Sequence, residues 1–377
     1  MNMPEKRLDI TLVITRLDAG GSAEVTLLLA KGLSQKGHNV TLITGKTANP
    51  PFDVYEFAAK NGFAIIEIKE LIRNINPLLD IIALIKLYFL FKKLKPDIIH
   101  TNTSKAGILG RLAGKIARFS NIIHSPHGHI FYGYYHPTIT SLFIAMEKLI
   151  AKYTKYILNL THLGKKDHIR KKIGKPEKFI VTGCGIDLKR FKNVQKKKNQ
   201  EFTIAWIGRL TEIKNPFLLL HAAALLNKKG YNFTYKVIGD GELLNKCKEY
   251  AKKNELENVH FYGYQSEVGK FLARSDVLTV TSNNEGFGRV IVEAMAAGVP
   301  IIATKVGGIP ELIKHNVNGI LITPGSAEEL CAGILRLYTE SNLRENFIKY
   351  NKKFCLKFDI SNYISKIEEI YRKVLNE

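Results

Sequence analysis

The chain is poor in the residues that cross-link or hold metals. Its four cysteines, Cys184, Cys247, Cys331 and Cys355, lie far apart among 377 residues and include no C-x-x-C pair. That argues against a zinc site or a disulfide framework and fits a reducing compartment. No Asp-x-Asp occurs anywhere, so nothing suggests a metal-held nucleotide. Histidines gather at His100, His124, His127, His129 and His136, but H-G-H lacks helical i, i+4 spacing and has no carboxylate close by, which disfavours a metal centre. Neither a dinucleotide G-x-G-x-x-G nor a Walker P-loop is present. The longest apolar run, Leu78 to Leu94, is interrupted by Asp80 and Lys86, and a bilayer span needs roughly 20 mostly apolar residues. The first residues pass straight into a strand pattern, so no secretory signal is expected. N-x-S/T triplets at Asn39, Asn102, Asn159 and Asn232 abut strands and are read as chance.

Negative charge is also scarce. The formal charge is +22, with 29 Lys+Arg against 14 Asp+Glu in residues 1–190 and 27 against 20 in the rest. No acidic residue lies between Asp97 and Glu147, where Lys105, Arg111, Lys115 and Arg118 fall. A basic front half suits an anionic partner: nucleic acid, an anionic membrane face or a phosphorylated substrate. The competing reading is lysine that only solvates helices.

What is present is a long alternation of apolar strands and amphipathic helices. It opens with a strand over Leu8–Leu17, a turn at residues 18–22 and a helix over Ala23–Gln35. It stops at the polar, basic segment Lys189–Gln200 and then restarts. The pattern predicts an α/β chain of two doubly wound parallel-sheet domains, 1–188 and 189–358, followed by a terminal segment, 359–377.

Four glycine-bearing turns follow strands: Gly20-Gly21, W-I-G-R-L-T-E-I-K-N-P (Trp206–Pro216), I-G-D-G-E-L (Ile238–Leu243), and the stretch Thr281–Glu311. Glycine lets backbone N–H groups approach an anion, and the helix that follows contributes a partial positive charge. Any one such turn is unspecific. Four of them, with Arg209 and Lys214 beside the second, favour a ligand carrying a diphosphate. Arg209, next to a glycine at a strand end, offers a bidentate phosphate contact, while surface charge is the plainer reading for Lys214. Glu285 and Glu293 stand eight positions apart, one in a turn and one inside a helix. They need not flank one bond as glycosidase carboxylates do, and suit sugar and ribose hydroxyls better. Glu293 can equally serve a local salt bridge. His127 can donate to a sugar hydroxyl or a leaving oxygen, or can be a loop histidine bonded to backbone.

G-G-S-A-E (Gly20–Glu24), H-G (His127-Gly128), G-R-L-x-x-x-K (Gly208–Lys214), G-D-G (Gly239–Gly241) and E-G-F-G-x-x-x-x-E-A-M-A-x-G-x-P (Glu285–Pro300) occur in one order. In that combination the chain resembles glycosyltransferase family 4, the retaining enzymes of GT-B fold, most closely those of polysaccharide and lipopolysaccharide assembly. The resemblance implies two Rossmann-like domains facing a cleft, with the donor nucleotide-sugar, usually UDP-linked, in the carboxyl domain and the acceptor in the amino domain. No metal or other cofactor is implied. Arg209 and Lys214 would neutralise the diphosphate, and Glu293 would take the ribose hydroxyls. Glu285 would hold the donor sugar, with Gly286, Phe287 and Gly288 offering N–H groups. Gly20 and Gly21 would approach the diphosphate, His127 the transferred sugar, and Gly239 and Gly241 the base. The last helix would pack back on the amino domain. The acceptor would be an undecaprenyl-diphosphate-linked or other glycan. The enzyme would be cytoplasmic, at the inner membrane face, docked by the Leu78–Lys95 helix and the aromatic segment 129–138. Departures are the extra Ser22 in the first loop, Asn215 after Lys214, and V-T-G-C-G-I-D at Val181–Asp187, where Cys184 has no assigned role. Two other readings stand beside it: a non-hydrolysing UDP-sugar 2-epimerase of the same fold, and a basic nucleic-acid binder. The second lacks any RRM, KH or helix-turn-helix signature, so no nucleic-acid partner is expected.

Overall fold

A computed structural model describes residues 6–128, 136–192 and 201–377. Most of the aromatic segment 129–138 and the end of the basic segment 189–200 lie outside these residues. The chain forms two compact units, Met1–Gly185 with Ile360–Glu377, and Ile186–Asp359.

The first unit runs β1 (Asp9–Ile14), α1 (Gly21–Gln35), β2 (Asn39–Thr44), α2 (Val54–Lys60), β3 (Ala64–Glu67), α3 (Pro77–Leu94), β4 (Ile98–Asn102), α4 (Ser104–Ile116), β5 (Ile122–Ser125), α5 (Pro137–Ala151), β6 (Tyr156–Asn159), α6 (His162–Arg170) and β7 (Phe179–Val181). Among the described residues these strands make one parallel sheet in the order β3-β2-β1-β4-β5-β6-β7. Leu12, Val13, Ile14, Ile98, Ile99, Ile122 and Ile123 are all fully or almost fully buried. Continuous β-branched runs of this kind belong to strands covered by helices on both faces. β3 is a four-residue, half-exposed edge strand, too short for its alternation to stand out in the sequence. α3 starts at an Asn76 cap followed by Pro77, a favoured pair at a helix start. It buries Ala83, Leu87 and Phe91 but exposes Leu78, Ile81, Ile85 and Phe89.

The second unit runs α7 (Lys189–Lys192), β8 (Thr203–Ile207), α8 (Pro216–Lys228), β9 (Thr234–Ile238), α9 (Leu244–Lys253), β10 (Val259–Phe261), α10 (Val268–Leu272), β11 (Val277–Val280), α11 (Arg289–Ala297), β12 (Ile301–Thr304), α12 (Ile309–Leu312), β13 (Ile320–Ile322), α13 (Ala327–Thr339) and α14 (Ser341–Phe354). Its parallel sheet has the order β10-β9-β8-β11-β12-β13 among the described residues. The basic segment that reads as a solvated linker begins with α7, in which Phe191 is buried. Both chain crossings lie elsewhere, at 185/186 and 359/360. The Ile186 N–H donates to the Phe358 carbonyl at 2.9 Å, and Ile186 pairs with Asp359 as an isolated bridge.

α15 (Ile360–Asn376) completes the first unit. Its Tyr371 hydroxyl lies 2.7 Å from His100 Nδ1. Its Glu368 carboxylate accepts from Lys36 at 2.6 Å, His38 Nε2 at 3.0 Å and Arg372 at 2.8 Å. His38 Nδ1 already accepts the Leu8 N–H, so Nε2 carries the proton it donates to Glu368.

In each unit the sheet order reverses between two adjacent strands. In the first these are β1 and β4; in the second, β8 and β11. The loops after such strands diverge and leave a crevice at the carboxyl edge, where open α/β sheets bind ligands. Among the described residues no helix is long and apolar enough to cross a membrane.

Candidate functional site

In the second unit the reversal point is built from the loops after β8 and β11. β8 ends in Trp206 and Ile207, and Gly208, Arg209 and Lys214 follow within the next turn. β11 is buried along its whole length and delivers Thr281 to Gly288. The two loops are bonded together. The Trp206 indole N–H donates to Thr281 Oγ1 at 2.8 Å, and that hydroxyl donates to the Asn215 carbonyl at 2.7 Å. The Asn283 N–H donates to the Ile213 carbonyl at 2.7 Å, and its side-chain amide to the Glu212 carbonyl at 3.0 Å. Lys214 is thereby brought onto Glu285, and ammonium and carboxylate form a close ion pair. Ser282 Oγ lies 3.5 Å from the same carboxylate oxygen.

The backbone of Glu285 is held from behind. Gly308 donates its N–H to the Glu285 carbonyl at 2.9 Å. Gly307, at φ +50°, passes so close that a Cβ would fall 2.0 Å from that carbonyl oxygen. The Gly307-Gly308 pair therefore reads as a clamp, where the sequence suggests only a flexible loop. Thr304, at the end of β12, donates to the Ser282 carbonyl at 2.6 Å and fixes the other side. A carboxylate braced in this way is pre-positioned for a ligand hydroxyl.

α11 begins after Gly288, which sits at φ +86° and offers no side-chain cap. Its first N–H groups are of the kind that anions satisfy. The side chain of Phe287 is buried and meets Phe358 edge-on at 5.3 Å between centroids, so only its backbone is available to a ligand. Glu293 lies within α11, 3.5 Å from Arg289. The two carboxylates thus each have a cation beside them, Lys214 at Glu285 and Arg289 at Glu293. Arg209 is exposed beside Gly208.

Gly239 and Gly241 serve the loop after β8. Gly239 (φ +139°) runs so near that a Cβ would stand 1.8 Å from the Gly208 carbonyl oxygen. Leu210 donates to the Asp240 carbonyl at 2.9 Å, and Leu243 to that of Leu210 at 3.0 Å. The G-D-G turn is thus the surface against which the Arg209 loop is folded.

In the first unit Gly20 is extended, with only the Asp18 carbonyl, at 3.9 Å, near where its Cβ would be, and Gly21 opens α1. Asp18 accepts the Ala48 and Asn49 N–H groups at 2.8 and 2.9 Å and anchors the loop. His127, after β5, has φ +54°. Its Nε2 lies 2.7 Å from Asn102 Oδ1 at the end of β4. The Asn102 amide donates to the carbonyl oxygens of His100 and Val13, which leaves Oδ1 as acceptor and makes Nε2 of His127 the donor. Asn102 is almost fully buried. No role falls to it from sequence alone. The available signal was its place at the end of the strand that adjoins β1 across the reversal point.

His100 is buried behind this pair. Burial, aided by His127, lowers its pKa to about 3, so it stays neutral and bridges Tyr371 to Ser125, whose Oγ is 2.8 Å from Nε2. Cys184 is buried in the same unit. Among the described residues no group of three or more His, Cys, Asp or Glu side chains is arranged to hold a metal ion.

Two family models match the chain: Glycosyltransferase Family 4 over residues 19–190, and Glycosyl transferases group 1 over residues 187–354. The chain is 28% identical over 365 residues to an Escherichia coli UDP-Gal:alpha-D-GlcNAc-diphosphoundecaprenol alpha-1,3-galactosyltransferase, covering 93% of each chain. It is 27% identical to the Staphylococcus aureus capsular polysaccharide biosynthesis glycosyltransferase CapM, covering 81% of this chain and 84% of that one. Its fold matches the Anabaena protein Alr3699/HepE, solved in complex with UDP, at a TM-score of 0.79 and 21% identity, over 97% of this chain and all of that one. With the paired parallel-sheet units and the motif loops at their reversal points, the two matched models show that this chain belongs to glycosyltransferase family 4, with the GT-B fold.

Proposed function

We propose that this glycosyltransferase moves a hexose or N-acetylhexosamine from a UDP-sugar to an undecaprenyl-diphosphate-linked or other glycan acceptor in cell-surface polysaccharide assembly. The observation that carries the reading is the Lys214–Glu285 pair, braced at the reversal point of the second sheet beside Arg209. A diphosphate approaching Lys214 competes with Glu285 for the same ammonium. Binding then turns the carboxylate toward the donor sugar's hydroxyls and leaves Lys214 and Arg209 on the leaving nucleotide. Cations placed where charge develops in the transition state lower the barrier directly. Glu293 is assigned to the ribose, and Gly286, Phe287 and Gly288 act through backbone N–H groups. Gly239 and Gly241 shape the wall on the base side. From the first unit, Gly20 and Gly21 offer amides to the diphosphate, and His127, oriented by Asn102, meets the transferred sugar. The reaction is read as retaining and metal-independent.

The names of relatives support the substrate classes: one uses UDP-galactose on a diphosphoundecaprenol-linked sugar, and a neighbour in fold was solved with UDP. The basic front half and the outward apolar side of α3 support work at the cytoplasmic face of a membrane.

The test is a panel of nucleotide-sugars with lipid-diphosphate acceptors, with and without chelator, reading nucleotide release and the anomeric configuration of the product by NMR. One UDP-sugar should turn over with retention in chelator, and Glu285→Ala should lower kcat/KM by about 100-fold or more. Turnover of no donor, with no effect of the substitution, would refute the reading. Free epimerised UDP-sugar formed without acceptor would replace it with an epimerase.

A further inference from the structure

A second charged site lies at the opposite edge of the first sheet. α4 ends at Ile116 and α5 at Ala151, and β5 and β6 begin at Ile122 and Tyr156. The site is therefore at the amino edge, away from the loops that carry Gly20 and His127. Between the helix ends is a pocket of about 400 Å³, lined by Lys115, Arg118, Lys152, Tyr153, Lys155 and Lys178 among others, with no acidic residue.

The pocket is constructed rather than a chance crowding of side chains. Lys178 donates to the Ala151 and Thr154 carbonyls at 2.9 Å each and to the Lys152 carbonyl at 3.2 Å. This ammonium closes the end of α5 and fixes the 151–155 turn, where cations favour the helix dipole. Lys115 lies 4.9 Å from the centroid of the Tyr153 ring, in cation–π range. Among the described residues, none of Lys115, Arg118, Lys152 and Lys155 has a salt-bridge partner. Four cations with no carboxylate around one concavity form a site for an anion.

The rim favours a particular anion. Ile116 is 53% exposed, Leu149 56% and Tyr153 39%. A soluble phosphate compound gains nothing from these apolar side chains, whereas an anionic bilayer meets both features at one level: phosphates in the pocket, apolar residues at the acyl boundary.

We propose that this pocket seats the phosphate of an anionic phospholipid and, with Ile116, Leu149 and Tyr153, docks the first unit on a membrane. The proposal deepens the membrane-face reading above and rests on it. It adds the ends of α4 and α5 to the contact expected of the two segments read from the sequence.

The experiment is flotation of the full chain with phosphatidylcholine vesicles, with and without phosphatidylglycerol. Arg118→Ser/Lys152→Ser/Lys155→Ser should weaken binding to the anionic vesicles by about 100-fold, from about 1 kcal/mol per cation near such a surface. Ile116→Ser/Leu149→Ser should weaken it by at least about tenfold from lost apolar burial. Donor hydrolysis without acceptor should be unchanged in both, so its loss in the wild type indicts the transferase reading separately. Equal flotation of the triple variant and the wild type would overturn the pocket while leaving membrane binding intact. Three further results would each overturn the proposal. One is wild type that ignores phosphatidylglycerol; another is release of vesicles by millimolar inorganic phosphate. The last is a dimer that the apolar variant dissolves.

Discussion

Replacing Gly239 by alanine tests whether the G-D-G turn is the template for the Arg209 loop. The added Cβ would stand 1.8 Å from the Gly208 carbonyl oxygen, whereas real Cβ contacts stay beyond 3.0 Å. One backbone must therefore yield by about 1.2 Å, the difference between those distances. Gly208 is the residue before Arg209, so the shift is delivered to the guanidinium's own loop. A misplacement of about 1 Å in a catalytic constellation is worth about 100-fold in rate. Gly230 is the matched control. It too has positive φ, +83°, but nothing lies within 4 Å of its missing Cβ. Both variants suffer a positive-φ backbone penalty, on the order of 1–3 kcal/mol; only Gly239→Ala suffers the collision. The assay is kcat/KM for nucleotide release, with thermal unfolding measured in parallel. Gly239→Ala should lose about 100-fold while Gly230→Ala stays near wild type. Equal kcat/KM in the two folded variants would refute the argument that this turn shapes the site.

Other predictions concern the first unit. Glu368→Gln keeps the shape but removes the charge that binds Lys36, His38 and Arg372. Burial alone would raise this carboxyl's pKa, but those three hydrogen bonds outweigh it and hold it at about 2. Its contribution is therefore complete above about pH 4.5 and lost as pH falls toward 2. With Lys36 40% exposed and partly screened, the variant should lose about 2 kcal/mol at pH 7. Urea unfolding should show the gap shrinking by roughly 1 kcal/mol by pH 4. His100 stays neutral in the fold to about pH 3, held there first by burial, while an unfolded histidine protonates near pH 6.5. Stability should therefore fall as pH drops below about 6.5, by about 2 kcal/mol at pH 5 from this residue. Burial pushes His124 and His168 the same way. A denaturation midpoint that is flat from pH 7 to 5 would contradict their neutral burial.

The two α/β alternations and the order of the motif loops are legible because each is local: a strand of apolar residues, a glycine, a helix. Which partners those motifs choose is not local. Lys214 and Glu285 are read separately as a phosphate cation and a sugar acceptor, yet they meet because β8 and β11 are neighbours, a fact of strand order. Gly239 looks like a ligand-facing glycine and Gly307 like part of a flexible loop, but their small size serves the backbone of another loop. Asn102 passes as an ordinary strand end until β4 is placed beside β1. The basic pocket draws on side chains from the end of α4 and the turns before β5, β6 and β7, so composition shows only an acid-poor half and not a site. Phe191 shows the reverse error. Its lysine-rich surroundings read as linker, but one buried aromatic ties that turn to the second unit.

The way α15 completes the first unit sets an order of assembly. Residues 360–377 are made after the whole of the second unit, yet they supply Tyr371 to His100 and Glu368 to His38, inside the unit whose other segment precedes it. The second unit is in effect an insertion, and all of its residues are synthesised before the first unit has its full set. The early segment must wait with His100 and the cover of α1 incomplete while 174 residues, Ile186–Asp359, are made and can fold. A nick or truncation in the last turns should therefore loosen the amino-terminal sheet and leave the sheet nearer in sequence to the cut intact.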